Sequence, residues 1–316
     1  MKLVCITPID QLPNFRNDLC SNFDAIFLHK PTKTELRHVL CEQKPEIIFT
    51  NPNQQAFVID EHLLNNTSIK HICTASTGLN HIDVSYCKRH HINIVSLTKE
   101  IQILNSITST AELAFCLMLM SIRHVIPAVE SVKKGSWSWE PYLGRQLKNL
   151  TVGVIGFGRL GKMFSHYAKC FGSKVFVYDP YQTIDNSMYE QLSSLEEMFK
   201  QCDVISLHVH VNDETRHMIN EHVLSFAKPN CVLINTSRGE IVKECAIYQS
   251  LVQNNIAHYA CDVLENEFSE KVESPLLRLD NRKVTITPHI GGSSIDAQNV
   301  AYNRALHMLI DNLYPK

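Results

Sequence analysis

The sequence lacks an excess of charge of either sign. Its 316 residues include 30 lysines and arginines against 32 aspartates and glutamates, which gives a formal net charge of -2 at pH 7. The basic residues are spread along the chain and form no stripe of the kind that binds nucleic acid or anionic membranes. The composition therefore argues against a nucleic-acid or membrane partner and favours a small-molecule partner.

Paired cysteines are also missing. The 11 cysteines are an odd number, and none of them belongs to a CxxC motif. Scattered, unpaired cysteines fit reduced thiols better than a disulfide framework. We therefore expect a cytoplasmic protein.

No apolar run is long enough to span a bilayer, which takes roughly 20 residues. The most apolar segment, residues 113–120, is followed by Ser121 and Arg123, and we interpret it as a buried core helix. The apolar run at the start of the chain ends at Pro8 and is shorter than the apolar region of a signal peptide. We therefore expect neither a membrane span nor a secretory signal.

The chain does contain two successive sets of short apolar runs, and its length favours two domains. The first set consists of KLVCIT, DAIFLH, PEIIFT, IKHICTAS and INIVSL. Helix-compatible segments such as TKTELRHVLCEQ and HIDVSYCKRHH lie between these runs. Alternating strands and helices predict a parallel sheet covered by helices.

The second set predicts another α/β unit, with strands TVGVIGF, KVFVYDP, DVISLHV, CVLINTS, HYACDVL and KVTITPH. Between the two sets lies an almost uniformly apolar helix, for which Ser109 and Glu112 form a capping-box pattern. Such a helix is expected to be buried on nearly every side. The last segment, residues 293–314, has helical spacing and no strand, so it must pack onto a unit already formed.

The glycine motif opens the second unit. Gly156, Gly158 and Gly161 form a GxGxxG sequence directly after the strand TVGVI and directly before a helical pattern. In this context Gly156 permits a tight turn, Gly158 lets a pyrophosphate approach the backbone, and Gly161 lets the helix pack closely on its strand. The phosphates then lie at the helix N-terminus. The sequence therefore predicts a dinucleotide site.

An acidic residue follows at the expected distance. Asp179 ends the next predicted strand, 23 residues after Gly156, where a carboxylate binds the ribose hydroxyls. This carboxylate would repel a 2′-phosphate and so favours NAD over NADP. The alternative is that Asp179 and Pro180 only form a turn at the end of the strand.

Three polar side chains follow later strands, where ligands bind in open α/β sheets. An arginine such as Arg238 can hold a carboxylate, and His289 can exchange a proton near neutral pH. A carboxylate partner for the histidine lies in CDVLENEFSE, but position alone does not select Glu267 over Glu265 or Glu270. Hydride transfer to a ketone needs such a proton donor.

A second histidine pattern indicates another kind of site. His208 and His210 alternate on a predicted strand and so point the same way, as two metal ligands would. No third ligand is spaced to join them. We therefore expect no metal site.

With these residues assembled, the sequence resembles the D-isomer-specific 2-hydroxyacid dehydrogenases, which include phosphoglycerate dehydrogenase and glyoxylate/hydroxypyruvate reductase. The resemblance covers nearly the whole chain. It rests on six motifs in the family's order and spacing: STGLNHID, TAELAFCLMLMSIR, GFGRLGK, NTSRGEIV, CDVLENE and TPHIGGS. It implies NAD-dependent, reversible hydride transfer between a 2-oxo acid and a D-2-hydroxy acid.

The resemblance also implies roles for particular residues. The catalytic set is Arg238, Glu267 and His289, the glutamate being selected by its place five residues after the aspartate of the DV motif. Backbone groups of Thr77 and Gly78, together with Arg238, bind the substrate carboxylate.

Four further residues are assigned to the cofactor by the same resemblance. Asp262 is placed at the nicotinamide end and Thr236 beside a ribose, while Arg159 and Leu160 meet the pyrophosphate.

The family architecture implies two doubly wound parallel-sheet α/β domains. Residues 1–100 with 289–316 form a flavodoxin-like substrate domain, and residues 101–288 form a Rossmann NAD-binding domain. Members of the family are usually homodimers, built around the region 110–144.

The sequence departs from the family at two positions and leaves one other function open. Phe268 and His210 stand where the family commonly has proline. Transcriptional corepressors that sense NAD(H) share the fold and its arginine, glutamate and histidine. The enzyme is favoured because the sequence shows no peptide-docking region and no disordered tails.

Overall fold

The computed structural model describes residues 1–52, 57–184, 188–269 and 271–315. All eleven predicted strands are present, together with a short edge strand, β8, that the sequence did not reveal. The strands are β1 (Lys2–Cys5), β2 (Asp24–Phe27), β3 (Ile47–Thr50), β4 (His71–Thr74), β5 (Asn93–Ser96), β6 (Thr151–Ile155), β7 (Lys174–Tyr178), β8 (Glu190–Gln191), β9 (Val204–Leu207), β10 (Val232–Asn235), β11 (His258–Cys261) and β12 (Val284–Ile286).

Helices separate most of these strands. They are α1 (Pro13–Asn22), α2 (Lys33–Glu42), α3 (Glu61–Leu64), α4 (Val84–Arg89), α5 (Ile101–Asn105), α6 (Ser109–Ile122), α7 (Val125–Lys133), α8 (Arg159–Cys170), α9 (Leu195–Gln201), α10 (Glu221–Leu224), α11 (Glu244–Val252) and α12 (Ile295–Leu313). The chain divides into two compact units. The first comprises Met1–Ile107, Phe268–Val272 and Gly292–Lys316, and the second Thr108–Glu267 and Glu273–Gly291.

The first unit is built on a five-stranded parallel sheet with the order β2-β1-β3-β4-β5. Thr74, the last residue of β4, pairs with Thr50 and Ser96 on the neighbouring strands. The final helix α12 packs on this unit, as its amphipathic pattern predicts, and buries Tyr302, Leu306 and Leu309 against α1 and the sheet. Each large side chain buried in this way contributes about 1.5–3 kcal/mol.

The second unit contains a seven-stranded parallel sheet with the order β12-β11-β10-β9-β6-β7-β8. Hydrophobic clusters cover both faces, as a doubly wound sheet requires. Strand order reverses between β6 and β9, and ligands of such folds bind at the carboxyl ends of the strands beside that point. The predicted fold class, two doubly wound parallel-sheet α/β domains, is confirmed.

Two expectations about the apolar helix α6 are wrong. Its N-cap is Thr108 and not Ser109, and the Thr108 hydroxyl donates to the Glu112 carboxylate at 2.5 Å, in place of the predicted bonds from Ser109. The helix is also buried on one face only, where it packs on β10, β11 and α8, and α7 contacts it as well. Its other face lines an apolar groove with α7 and α8, here called the α6 groove, whose residues include Phe115, Cys116, Leu119, Met120, Val129 and Phe171.

By length and composition, the segment Ile101–Ile122 could cross a membrane. In the structure, however, α5 ends at Asn105 and α6 begins at Ser109. A turn at Ser106 therefore divides the segment into two shorter helices.

Candidate active site

The glycine loop between β6 and α8 has the shape that a dinucleotide requires. Gly156 has φ +90°, a left-handed conformation that favours glycine, and a Cβ there would collide with the carbonyl of His208. A Cβ at Gly161 would overlap the carbonyl oxygen of Gly156, so the helix and the loop pack closely only with glycine there. A Cβ at Gly158 would meet nothing within 4 Å, which leaves open space above the loop for a ligand.

The first turn of α8 faces the same space. Arg159 and Leu160 are the first two residues of this helix and are both half-buried. Burial lowers the pKa of Arg159 from its ordinary value. Because the first N–H groups of a helix have no intrahelical partner, this end suits an anion such as pyrophosphate.

Asp179 lies directly after β7 and is tied to the glycine loop. Its carboxylate accepts hydrogen bonds from the backbone N–H of Phe157 at 2.9 Å and of Tyr181 at 3.0 Å. The side-chain amide of Gln182 donates to the same carboxylate at 3.1 Å. These three donors fix the position of the carboxylate beside the loop, where a ribose of the dinucleotide would lie.

Thr236 has a buried hydroxyl that the described part of the chain leaves without a hydrogen-bond partner. The residue is 6% exposed and directly follows β10. Leaving a buried hydroxyl unpaired costs about 1–3 kcal/mol. A ribose or amide group of a bound cofactor would satisfy it, so the glycine loop, Asp179 and Thr236 together fit NAD.

Arg238 lies two residues further along the same loop. One guanidinium nitrogen donates to the carbonyl of Ser237 at 2.6 Å, and no carboxylate among the described residues lies within ion-pairing distance. Asn235 holds the loop by donating to the Arg238 carbonyl at 2.9 Å. A Cβ at Gly239 would overlap the backbone of Leu264, so this loop packs tightly against the segment after β11. The half-buried cation is therefore available to an anionic ligand.

His289 and Glu267 form a pair at the carboxyl ends of β11 and β12. The imidazole Nδ1 and a carboxylate oxygen of Glu267 are 2.9 Å apart, and the two side chains are 19% and 15% exposed. Within the described residues, Nε2 of His289 has no hydrogen-bond partner. A carboxylate on Nδ1 leaves Nε2 as the nitrogen that can exchange a proton with a ligand.

His289 has φ +53°, a left-handed conformation that is strained for a residue with a Cβ. Asp262 holds it there. Its backbone carbonyl accepts from the His289 N–H at 2.9 Å, and its buried carboxylate accepts from the N–H groups of Ile290 and Gly291 and from the Thr287 hydroxyl. Burial raises the pKa of Asp262, against these hydrogen bonds, which lower it. In this structure the carboxylate therefore organises the loop that carries His289.

The other two acidic candidates differ from Glu267. Glu265 pairs with His217, whose Nε2 lies 2.6 Å from its carboxylate, while Glu270 lies outside the described residues. The buried carboxylate of Glu244 accepts from the backbone N–H of Glu265 at 2.8 Å and from the Ser274 hydroxyl at 2.5 Å. Sequence reasoning missed Glu244 and His217, because their partners are distant in the chain and no motif joins them.

Thr77 and Gly78 lie in the first unit, in the loop after β4. The three carbonyls of residues 76–78 all accept hydrogen bonds, from Leu97 N–H, the Thr98 hydroxyl and the Ser76 hydroxyl respectively. Among the described residues, no acceptor lies within hydrogen-bonding distance of the amide N–H of Thr77 or Gly78. The two amides thus form a small site that suits a carboxylate.

His208 and His210 do not converge on a common point. Nε2 of His208 lies 2.9 Å from the Ser206 hydroxyl, whereas His210 is exposed to solvent. Burial lowers the pKa of His208 to about 3. In the described ranges, no three histidine, cysteine, aspartate or glutamate side chains are grouped as metal ligands.

The chain is similar in sequence to a known protein family. The family model for the D-isomer-specific 2-hydroxyacid dehydrogenase NAD-binding domain matches residues 115–291, more than half of the chain. The chain is 34% identical over 267 residues to a hydroxypyruvate reductase of Thermotoga maritima, covering 84% of this chain and 83% of that protein. It is 33% identical over 302 residues to a glyoxylate reductase of Thermococcus litoralis, covering 91% and 87%.

A solved structure extends the similarity to both units. The structure is that of a D-lactate dehydrogenase from Aquifex aeolicus complexed with NAD and lactic acid. It matches with a TM-score of 0.79 and 29% sequence identity, over 99% of this chain and 95% of the other.

Proposed function

Because the chain belongs to the NAD-dependent, D-isomer-specific 2-hydroxyacid dehydrogenases, we propose that it interconverts a 2-oxo acid and a D-2-hydroxy acid through Arg238, Glu267 and His289. The observation that carries the proposal is the His289–Glu267 pair, 2.9 Å apart, with Nε2 of the histidine without a partner in the described residues. The same edge of the sheet carries the glycine loop and the half-buried cation Arg238.

In the reduction, one group of residues binds the substrate and another transfers one proton. Arg238 and the amides of Thr77 and Gly78 bind the substrate carboxylate. When bound, NADH would supply the hydride that reduces the carbonyl group. His289 donates the proton on Nε2 to the carbonyl oxygen, and Glu267 stabilises the protonated imidazole through Nδ1. In oxidation His289 accepts the hydroxyl proton.

The residues of the cofactor site support a preference for NAD over NADP. Asp179 is fixed beside the glycine loop by three hydrogen bonds, and its negative charge would repel a 2′-phosphate. We propose that Gly156, Gly158, Gly161, Arg159 and Leu160 bind the pyrophosphate. Thr236 then lies on the ribose side and Asp262 toward the nicotinamide. The second unit is accordingly the NAD-binding domain, and the first unit the substrate domain.

The test is the loss of NADH absorbance with a panel of 2-oxo acids, with NADPH in parallel. We expect rapid, NADH-preferring turnover of at least one acid, which would also identify the substrate side chain. If NADH bound but no acid were reduced, the dehydrogenase assignment would fail and a role in sensing NAD(H) would replace it. Equal rates with NADPH would contradict the role given to Asp179.

We also propose that the protein acts as a cytoplasmic homodimer through the α6 groove. The groove is apolar, and the neighbouring segment exposes large hydrophobic side chains that a second copy would cover: Val125, Val129, Val132, Trp137, Trp139 and Leu143. All 11 cysteines are free thiols, which suits a reducing compartment. Light scattering should give twice the chain mass, and Val129→Asp should shift it toward the monomer.

A further inference from the structure

The loop after β4 is fixed by a chain of hydrogen bonds that begins at a fully buried histidine. His81 is 0% exposed, and its Nε2 lies 3.0 Å from the hydroxyl of Thr74. The Thr74 hydroxyl lies 2.9 Å from that of Ser76, and the Ser76 hydroxyl donates to the carbonyl of Gly78 at 2.8 Å. This chain is called here the His81 relay.

The direction of the relay follows from the number of protons available, since each hydroxyl donates only one hydrogen bond. Ser76 uses its proton on the Gly78 carbonyl, so it accepts the proton of Thr74. Thr74 in turn accepts from His81. The imidazole therefore carries its proton on Nε2, and all three bonds point toward Gly78. Hydrogen bonds aligned in this way strengthen one another.

The relay controls which way the loop presents its amides. The bond from the Ser76 hydroxyl to the Gly78 carbonyl closes a ring that contains the peptide units 76–77 and 77–78, and these two units carry the N–H groups of Thr77 and Gly78. The Ser76 and Thr77 carbonyls are held in the same manner, by Leu97 and Thr98. Among the described residues, the two amide N–H groups are left without a hydrogen-bond acceptor.

We propose that His81 is a positioning residue, which orients the Thr77 and Gly78 amides toward the substrate carboxylate through Thr74 and Ser76. The proposal rests on the proposed function, because it assigns the carboxylate of a 2-oxo acid to these amides.

The experiment compares variants that break the relay with variants that keep it. Thr74→Val removes the central hydroxyl and His81→Leu removes the donor, whereas Thr74→Ser and His81→Gln retain a group that can replace them. Glyoxylate is the probe, because it has a carboxylate and a carbonyl but no side chain. We expect the two breaking variants to raise the KM for glyoxylate roughly tenfold and the two retaining variants to recover most of that loss.

Three controls separate positioning from general damage. NADH affinity should not change in any variant, because the proposed cofactor residues lie in the other unit. His71→Gln, at the opposite end of β4, alters the same strand without touching the relay and should leave the KM unchanged. If His81→Leu fails to fold, Ser76→Ala replaces it, since this small change also frees the Gly78 carbonyl.

A KM within about twofold of wild type in folded Thr74→Val and Ser76→Ala would overturn the proposal. If the wild type itself reduces no 2-oxo acid, the proposed function fails, and the relay is tested by binding. The amide signals of Thr77 and Gly78 are then followed by NMR during titration with oxamate, a stable 2-oxo acid analogue. Shifts in wild type that are lost in Thr74→Val support the relay, and equal responses, or none, contradict it.

Discussion

Two histidine–glutamate pairs use the same segment after β11, yet they are held in different ways. His289 pairs with Glu267 at 2.9 Å and His217 with Glu265 at 2.6 Å, and both histidines have φ +53°. The shorter pair is the more exposed, with side chains 38% and 29% exposed against 19% and 15%. Distance alone therefore does not distinguish the proposed catalytic pair from the other pair.

The partners of the two carboxylate residues separate the pairs. Glu265 is anchored by its backbone to the buried carboxylate of Glu244, so its pair with His217 belongs to a structural network. Among the described residues, the Glu267 carboxylate has one polar partner, His289. We infer that the pair of His217 and Glu265, here called the outer pair, fixes the segment after β11. The Glu267 carboxylate can then bind the His289 imidazole alone.

The largest effect should come from removing the two imidazoles in turn. His289→Ala deletes the proposed proton donor, and we expect turnover to fall by about 10² to 10⁴. The matched variant His217→Ala should lower turnover by less than about threefold, because an exposed pair contributes little energy. Steady-state kinetics, with NADH binding followed by fluorescence as the control, measures both. Equal losses in the two variants would remove the distinction between the pairs.

Replacing the carboxylates sharpens the same comparison. Glu267→Gln keeps the shape but loses the charge that favours a protonated imidazole, so we expect reduction to slow by roughly 10- to 100-fold. Glu265→Gln is the control and should keep the rate of reduction within about threefold of wild type. Equal rates of reduction in Glu267→Gln and wild type would contradict the role given to this carboxylate.

A third histidine of the same unit has no carboxylate partner among the described residues and should affect stability instead of turnover. His258 is buried, with its two ring nitrogens bonded to the Arg282 carbonyl and the Thr285 hydroxyl. Burial lowers its pKa from 6.5 to about 4. Above pH 6.5 the ring is neutral in both the folded and unfolded states, and its stabilising contribution is complete.

Between pH 6.5 and about 4 only the unfolded chain takes up this proton, so the folded state loses up to about 3 kcal/mol. Denaturant unfolding at pH 7 and pH 4.5 measures the loss, which should be smaller in His258→Gln. An identical pH dependence in the two proteins would show that His258 does not contribute. His208, whose pKa is also lowered, acts in the same direction and remains in the variant.

Much of the fold could be predicted because its signals are local. Each buried parallel strand is a short apolar run, and the glycines with Asp179 occur in a fixed strand, turn, helix and strand context. The edge strand β8 escaped prediction because two residues form no apolar run. The cap of α6 shifted by one residue because Thr108 and Ser109 carry similar hydroxyl groups, and only the start of the helix distinguishes them.

The site was less predictable wherever a partner lies far along the chain. His289 and Glu267 are 22 residues apart, and position alone did not select Glu267 over Glu265, so the choice needed a family resemblance. The His81 relay and Glu244 have no motif of their own. The exposed face of α6 was also missed, since a uniformly apolar sequence does not reveal which side the rest of the chain covers.

The smallest effect is expected from replacing Glu244, whose carboxylate binds the backbone of Glu265 in the outer pair. Glu244→Ala leaves the Glu265 N–H and the Ser274 hydroxyl without their buried acceptor, which should cost about 1–3 kcal/mol of unfolding free energy. Turnover should fall only several-fold, because the segment is loosened while His289 and Glu267 both remain. Glu244→Gln retains a carbonyl acceptor and should recover most of both losses. If Glu244→Ala lost stability but kept full turnover, the network would support the fold alone, and the outer pair would have no part in positioning Glu267.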